Sequence, residues 1–355
     1  MAIYMERPQY MRAWFLNKIH DLSAEAMPLQ LESVAIPEPR SNQLLIQVLC
    51  CGVCHTELDE IEGRTPPSVY PIIPGHQVVG KVTAKSNDVT RFSIGERVGV
   101  AWIFRACGEC EFCRKGHENL CPHFSGTGRD AHGGYAEYMT VDERFAYAIP
   151  SSFAHTQAAP LLCAGAIGYR SLMLAKITDG NSIGLSGFGA SGHLVLKTAK
   201  YLYPHSHIYV WSRSYDEQCF ARELGCDWAG DFSMIPPSLV NVMIDTTPAW
   251  QPVLTSLRAL KPGGRLIINA IRKESHDQSV LSSLIYHEHL WMEKEIKSVA
   301  NITRKDVEQF LKIASVIPIR PEIEVYPFEE ANAALVDLKH KHVKGAKVLL
   351  VCKDD

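Results

Sequence analysis

Along the first 150 residues, apolar positions come in short runs that turn-forming residues keep interrupting. LLIQVLC at 44–50 and ERVGVAWI at 96–103 have strand length, while PEPR, PPSVYPIIPGH and GGYAEY break the chain with Pro and Gly. Between about Met11 and Pro150 this pattern predicts an irregular all-β region. From about Thr178 the rhythm changes. An apolar run ends at Gly187, a helical segment reaches Tyr203, a strand covers Ile208–Trp211, and a helix closes at Leu224-Gly225. The strand VNVMID, the helical stretch AWQPVLTSLRAL, the turn KPGG and the strand RLIINAI follow. Strands alternating with helices in this way predict a doubly wound parallel sheet. After about Thr303, RKDVEQFLKIA and FEEANAALVDLKH read as helices and KVLLVC as a strand. That tail carries no core of its own, so it is expected to return to the first domain.

A chain of 355 residues exceeds one comfortable hydrophobic core, which implies two domains. Hydrophobic residues at 46% and charged residues at 21% exclude a disordered chain. The net charge of −3, without a long basic run, argues against a nucleic-acid or membrane-surface partner. The N-terminus is charged within its first eighteen residues, and no 18 apolar residues run together, so neither a secretory signal nor a membrane span is expected. The expected compartment is the cytoplasm, where thiols stay reduced. Eleven cysteines there point to metal ligation rather than disulfides.

Four of those thiols lie in CGECEFCRKGHENLC, as Cys107, Cys110, Cys113 and Cys121. The spacing Cys-x2-Cys-x2-Cys-x7-Cys lets four sulfurs converge on one tetrahedral ion at about 2.3 Å each. A zinc so bound has no open position and serves to pin a lobe too small to fold alone, although another soft metal would satisfy the same donors. His117 and His123 read as bystanders on the solvated side. Chemistry has to be sought elsewhere in the chain.

The fragment IGLSGFGASGHL carries GxGxxG after a strand and opens a helix. Gly187 permits the tight turn, Gly189 lets the backbone approach a pyrophosphate, and Gly192 lets the helix pack on the sheet, with Ala190 and Ser191 in its first turn. Twenty residues past Gly192, where an NAD-selective fold places a carboxylate, stand Ser212 and Arg213. A small hydroxyl leaves space for a 2′-phosphate and a guanidinium pairs with it, so NADP(H) is favoured over NAD(H). Arg213 stacked on adenine, with either cofactor, is the competing reading.

Two further loop fragments hold soft ligands, GVCHTE and PGHQVVG, and Cys163 follows AAPLL. Each alone is weak, because a lone buried Cys or His is ordinarily structural. Together with the cysteine lobe and the glycine-rich turn, they resemble the zinc-dependent medium-chain alcohol dehydrogenases, near the cinnamyl-alcohol and bacterial zinc-binding branches, over nearly the whole chain. The resemblance implies an α/β protein with a GroES-like irregular β catalytic domain at 1–164, completed by 302–355, and a doubly wound parallel-sheet Rossmann domain at 165–301. It implies two Zn2+ per chain, the second held by Cys54, His76 and Cys163 with one position left open. Thr56 would be the first proton-relay hydroxyl, and His55 and Lys344 would meet the cofactor. Trp102, Ile103 and Phe124 fall where relatives contact substrate, or are ordinary core.

The implied activity is reversible hydride transfer between NAD(P)(H) and a small-molecule primary alcohol or aldehyde, in a homodimer or homotetramer. A polyol dehydrogenase, or a non-catalytic zinc-stabilised dinucleotide-binding protein, is the alternative. Three positions depart from the family pattern: Glu57 for an aspartate, Gln77 for the glutamate of GHE, and Asp59 for a relay histidine.

Overall fold

β1 (Tyr10–Leu16) and β2 (Leu29–Ala35) form an antiparallel pair with Tyr10 opposite Ala35 and Leu16 opposite Leu29. The computed structural model describes residues 8–24, 26–317, 319–340 and 345–352. Two compact units divide the chain. The first is Met1–Cys163 with Thr303–Leu311 and Arg320–Asp355; the second is Ala164–Ile302 with Lys312–Ile319.

The first unit is built on β3 (Gln43–Val53), whose LLIQVLCCGV run is buried on both faces rather than alternating. That continuous apolar text is the mark of a central strand with both faces covered. Helix α1 (His55–Ile61) follows, then β4 (Val78–Lys85), β5 (Arg97–Val100), β6 (Ile103–Arg105), the short helix α2 (Glu111–Arg114), β7 (Ser125–Gly126), β8 (Tyr138–Asp142) and β9 (Ala146–Ala148). The one-turn helix α3 (His155–Ala158) closes this stretch.

In the second unit come α4 (Ala164–Ala175), β10 (Ser182–Ser186), α5 (Ala190–Leu202), β11 (His207–Trp211), α6 (Tyr215–Glu223), β12 (Trp228–Gly230), β13 (Val240–Asp245), α7 (Gln251–Ala259), β14 (Leu260–Ile268), α8 (Tyr286–His289) and β15 (Glu295–Ser298). Its sheet order is β12-β11-β10-β13-β14-β15, and all five neighbour pairs are parallel. Strand order reverses beside β10, the switch point where open parallel sheets bind ligands. The segment read as the turn KPGG lies inside β14. Val240 pairs with Leu260 and Val242 with Arg265, so the extra residues are absorbed by a register shift, with Gly263 at φ +70°.

The tail supplies α9 (Arg304–Val316), β16 (Ile323–Pro327), α10 (Ala331–His340) and β17 (Ala346–Leu350). β17 pairs antiparallel with β3, giving the seven-stranded sheet whose main path is β16-β17-β3-β4-β5-β9. The expected domain ends at 164 and 302 differ slightly from the observed units. Lys312–Ile319 belongs to the second unit, so that α9 begins in the first unit and ends in the second. The helical run His155–Ala175 has the length and apolar content of a bilayer span, but 72% of its most apolar 18-residue stretch is buried inside the protein, as in a core helix.

Candidate functional site

Cys54 is the N-cap of α1, in extended backbone at φ −131° and ψ 163°. Three residues on, Glu57 turns back: Cys54 N donates to its Oε2 at 2.8 Å. The other oxygen faces the ring of His76, with Nδ1 to Oε1 at 2.6 Å. One fully buried carboxylate therefore caps the helix and orients the histidine, which a shorter aspartate at this position would not span in the same way. With Nδ1 carrying the proton, His76 presents the Nε2 lone pair, 3.2 Å from Cys163 Sγ. Cys163 caps the 3-10 turn Ala159–Leu162. Donor atoms of Cys54, His76 and Cys163 all lie within 4.8 Å of one another.

The electrostatics favour a cation here. Burial opposes charge on His76, yet the Glu57 carboxylate and Cys54 hold its pKa well above the imidazole range. The hydrogen bond from Cys163 draws the Cys54 thiol well below its usual value against burial, and by the same bond Cys163 is pushed up. Thiolate, imidazole and thiol around one point form the donor chemistry of a borderline-soft dication. Zinc fits these residues. Thr56 Oγ1 lies 3.6 Å from Cys54 Sγ. Trp102 stands edge-on to His76, its ring 5.2 Å away, and stacks with Phe124 at 6.2 Å. Ile103 is core, on β6 opposite Gly126.

In the cysteine lobe, Cys107 Sγ lies 3.9 Å from Cys113 Sγ and 3.5 Å from Cys121 Sγ. Four sulfurs at 2.3 Å from a tetrahedral ion would sit roughly 3.8 Å apart. Backbone N–H groups already point at the sulfurs: Cys110 N at Cys107, Cys113 N at Cys110, Cys107 N at Cys121 and His123 N at Cys121, at 3.3 to 3.5 Å. Donors from Glu109 and Cys110 draw Cys107 down to about 6, whereas burial pushes Cys113 up to about 12. A cation is what lets all four ionise together, and zinc fits this set too. His117 and His123 are exposed and outside the cluster.

In the second unit Gly187 N donates to Trp211 O at 2.8 Å, fastening the glycine-rich turn to the end of β11. Gly187 has φ +85°, and a Cβ there would come 2.7 Å from Thr246 Oγ1; one at Gly192 would meet Gly187 O at 2.8 Å. Nothing lies within 4 Å of a Cβ at Gly189, the N-cap of α5, and no side chain caps that helix. Open space over uncapped N–H donors fits a dinucleotide pyrophosphate. Ala190 is half-buried in the first turn, and Ser191 Oγ donates to Ala164 O at 3.1 Å.

Ser212 differs from the sequence reading. Its hydroxyl is buried and donates to Glu217 on α6, while Ser214 N donates to it at 3.2 Å. Arg213 is exposed beside it, and His55 is exposed at the first residue of α1. Lys344 lies outside the described residues. Asp59 is buried and accepts from Arg64 Nε at 2.5 Å. Gln77 is buried with its side chain against Gly52 of β3.

Sequence reasoning missed three features. Glu60 is buried with Oε1 unpartnered, and burial plus the Glu57 charge push its carboxyl well above the usual range. Arg129 lies over both Trp102 and Phe124 at 5.6 Å. Asp245, at the end of β13, accepts from Ser186 Oγ, from Thr247 and from Lys273. Only the aromatic spacing around Trp102 gave any signal for these.

Residues 40–151 match the alcohol dehydrogenase GroES-like domain family. The chain is 38% identical over 346 residues to a probable alcohol dehydrogenase, AdhA, of Mycobacterium tuberculosis (strain CDC 1551 / Oshkosh), covering 96% of this chain and 97% of that protein. The solved cinnamyl alcohol dehydrogenase SbCAD4 of Sorghum bicolor is 28% identical, with a TM-score of 0.83 over 96% of this chain and 97% of that one. A cobalt- and zinc-bound thermostable alcohol dehydrogenase of Pyrobaculum aerophilum shares the fold, with a TM-score of 0.85 at 23% identity over 96% of this chain and 100% of that one. Likeness along the whole chain, joined to the two thiol-rich clusters and the glycine-rich turn, places this chain in the medium-chain, zinc-binding alcohol dehydrogenase family, oxidoreductases acting on CH–OH groups.

Proposed function

We propose that the protein is a zinc-dependent dehydrogenase and reductase that moves hydride reversibly between a nicotinamide cofactor and a primary alcohol or aldehyde, with NADP(H) favoured. The observation that carries this reading is the Cys54, His76 and Cys163 triad, whose donors converge and number one fewer than a tetrahedral zinc takes, so a bound ion would have a position for a substrate oxygen. When bound, zinc supplies Lewis-acid polarisation of the substrate oxygen and the nicotinamide supplies or accepts hydride.

The chain's own residues do the remaining work. Glu57 fixes the His76 ring and leaves Nε2 as the ligating nitrogen. Thr56 Oγ1, beside Cys54 Sγ, is placed to take or return the hydroxyl proton. Asp59 is engaged by Arg64, so the route for that proton is not the one a histidine would provide at this position. Trp102 and Phe124 put aromatic surface near the metal ligands, with the Arg129 guanidinium over both rings, and that aromatic surface supports an apolar rather than a polyhydroxylated substrate. Arg213 at the end of β11 supports the 2′-phosphate preference.

Every residue of β15, at one end of its sheet, is exposed, which supports a homodimer or homotetramer built on that edge. All eleven cysteines are free, in keeping with a cytoplasmic protein. The test is a panel of aldehydes against NADPH and NADH, with zinc content measured on the same sample. Turnover that survives selective loss of the three-ligand zinc would refute the mechanism, and a larger kcat/KM with NADH would refute the cofactor preference.

A further inference from the structure

Where the family pattern of a dinucleotide fold would place either a strand-end carboxylate or a phosphate-binding pair, this chain does both from different elements. Trp211 closes β11 and receives Gly187 N, so the next residue, Ser212, begins the loop beside the glycine-rich turn. Ser212 is 2% exposed and every part of it is engaged. Its N–H donates to Gly230 O at 3.0 Å, its carbonyl accepts from Gln218 Nε2 at 2.8 Å, and its hydroxyl accepts from Ser214 N at 3.2 Å while donating to the Glu217 carboxylate. Glu217 belongs to the first turn of α6, capped by Ser214, which accepts Glu217 N at 3.4 Å. The Glu217 side chain is half-buried and held at the strand end, while Arg213 projects from the same loop into solvent.

The geometry points to Glu217 as a specificity-determining residue for the cofactor. Held by Ser212, it supplies from α6 the carboxylate that an NAD-selective fold supplies from the strand, and it opposes the 2′-phosphate that Arg213 attracts. This rests on the dinucleotide-binding reading of the glycine-rich turn. Because the Ser212 hydroxyl proton is already committed, that hydroxyl does not donate to a phosphate unless Glu217 lets go. A carboxylate accepts from ribose hydroxyls and repels a phosphate dianion; the repulsion between neighbouring sites amounts to about tenfold in affinity even at the dielectric of water. Cofactor choice is thus a balance of Glu217 against Arg213, and wild type accepts both cofactors with a smaller preference than Arg213 alone would give.

The test is calorimetric titration of the full chain with 2′,5′-ADP and with 5′-AMP, neither of which needs the catalytic metal or a substrate. The variants are Glu217→Gln, Ser212→Ala and Arg213→Gln. Glu217→Gln is expected to raise the affinity ratio of 2′,5′-ADP to 5′-AMP at least about tenfold. Ser212→Ala, which unfastens the carboxylate without removing it, should raise the ratio less, and Arg213→Gln should lower it. The kcat/KM ratio of NADPH to NADH should move in the same directions. If wild type binds both nucleotides and Glu217→Gln leaves the ratio within twofold or lowers it, the assignment of Glu217 is wrong while the binding site stands. If wild type binds neither, the dinucleotide reading falls and this inference with it. Ser212→Ala keeps the test decisive should Glu217→Gln fail to fold.

Discussion

Glu57 makes two demands on one side chain, and Glu57→Gln separates them. In the wild type both carboxylate oxygens accept, one from Cys54 N at 2.8 Å and the other from His76 Nδ1 at 2.6 Å, with no access to solvent. An amide has a single acceptor oxygen. Whichever partner takes it, the NH2 group faces another N–H, so one hydrogen bond is lost and a buried donor is orphaned. A hydrogen bond to a charged group contributes about 1.5–3 kcal/mol. Loss of one such bond from the group that fixes the ligating ring corresponds to about a 10–100-fold fall in zinc affinity at the three-ligand site.

The assay is competition with a chromophoric chelator, following zinc release in wild type and variant while circular dichroism reports the fold. The four-cysteine site is an internal control, since none of its ligands touches Glu57. The expected result is a faster first phase of release and an unchanged second phase, with turnover falling in step with the first. Identical first phases would show that Glu57 does not organise the metal site. Acceleration of both phases would show that the variant merely loosens the fold.

Other perturbations read other parts of the chain. Cys110→Ser should remove one zinc of the two sites and lower Tm and soluble yield, whereas Cys54→Ser should lower the rate with little change in Tm; zinc analysis with calorimetry checks both. Lys273→Met leaves the buried Asp245 carboxylate without its cation and should cost about 3–5 kcal/mol in urea unfolding, while Asp245→Asn should cost less. His193 is 1% exposed with Nε2 unpartnered, and burial pushes it down to about 4. Near pH 6.5 the unfolded chain takes up a proton that the folded chain refuses until about pH 4, so stability is lost as pH falls through that window, by ~3 kcal/mol in all. His193→Leu should shrink the difference in urea-unfolding free energy between pH 7 and pH 4.5 by about 2.4 kcal/mol, the part of that total lying inside this pH range, and parallel pH dependences for the two proteins would refute the assignment.

What the sequence disclosed follows from how local each constraint is. The four-cysteine lobe was legible because its ligands fall within fifteen residues, and a spacing rule covers such a span. The glycine-rich turn was legible because each glycine has a separate steric reason that a single position reveals. The triad was different: Cys54, His76 and Cys163 come from a helix cap, a loop and the end of a 3-10 turn, and only likeness to a family joined them.

Glu217 shows the opposite case, where the signal was present and pointed elsewhere. Ser214-x-x-Glu217 is the sequence form of a capping box, in which the glutamate should return to the N-cap backbone N–H. In the structure Ser214 N donates instead to Ser212 Oγ, and the carboxylate goes one step further, to the hydroxyl itself. A position counted along the strand therefore found Ser212 and missed the charge. The charge enters from the next helix, and its reach depends on α6 packing beside the end of β11 and against β12, through Gln218 on the Ser212 carbonyl and Arg222 on Ala229 O of β12 at 2.6 Å. Ligand choice in such a sheet is fixed by the strand end together with the first turn of the helix that follows it, so a rule that inspects one position will misassign cofactors wherever a helix residue supplies the carboxylate.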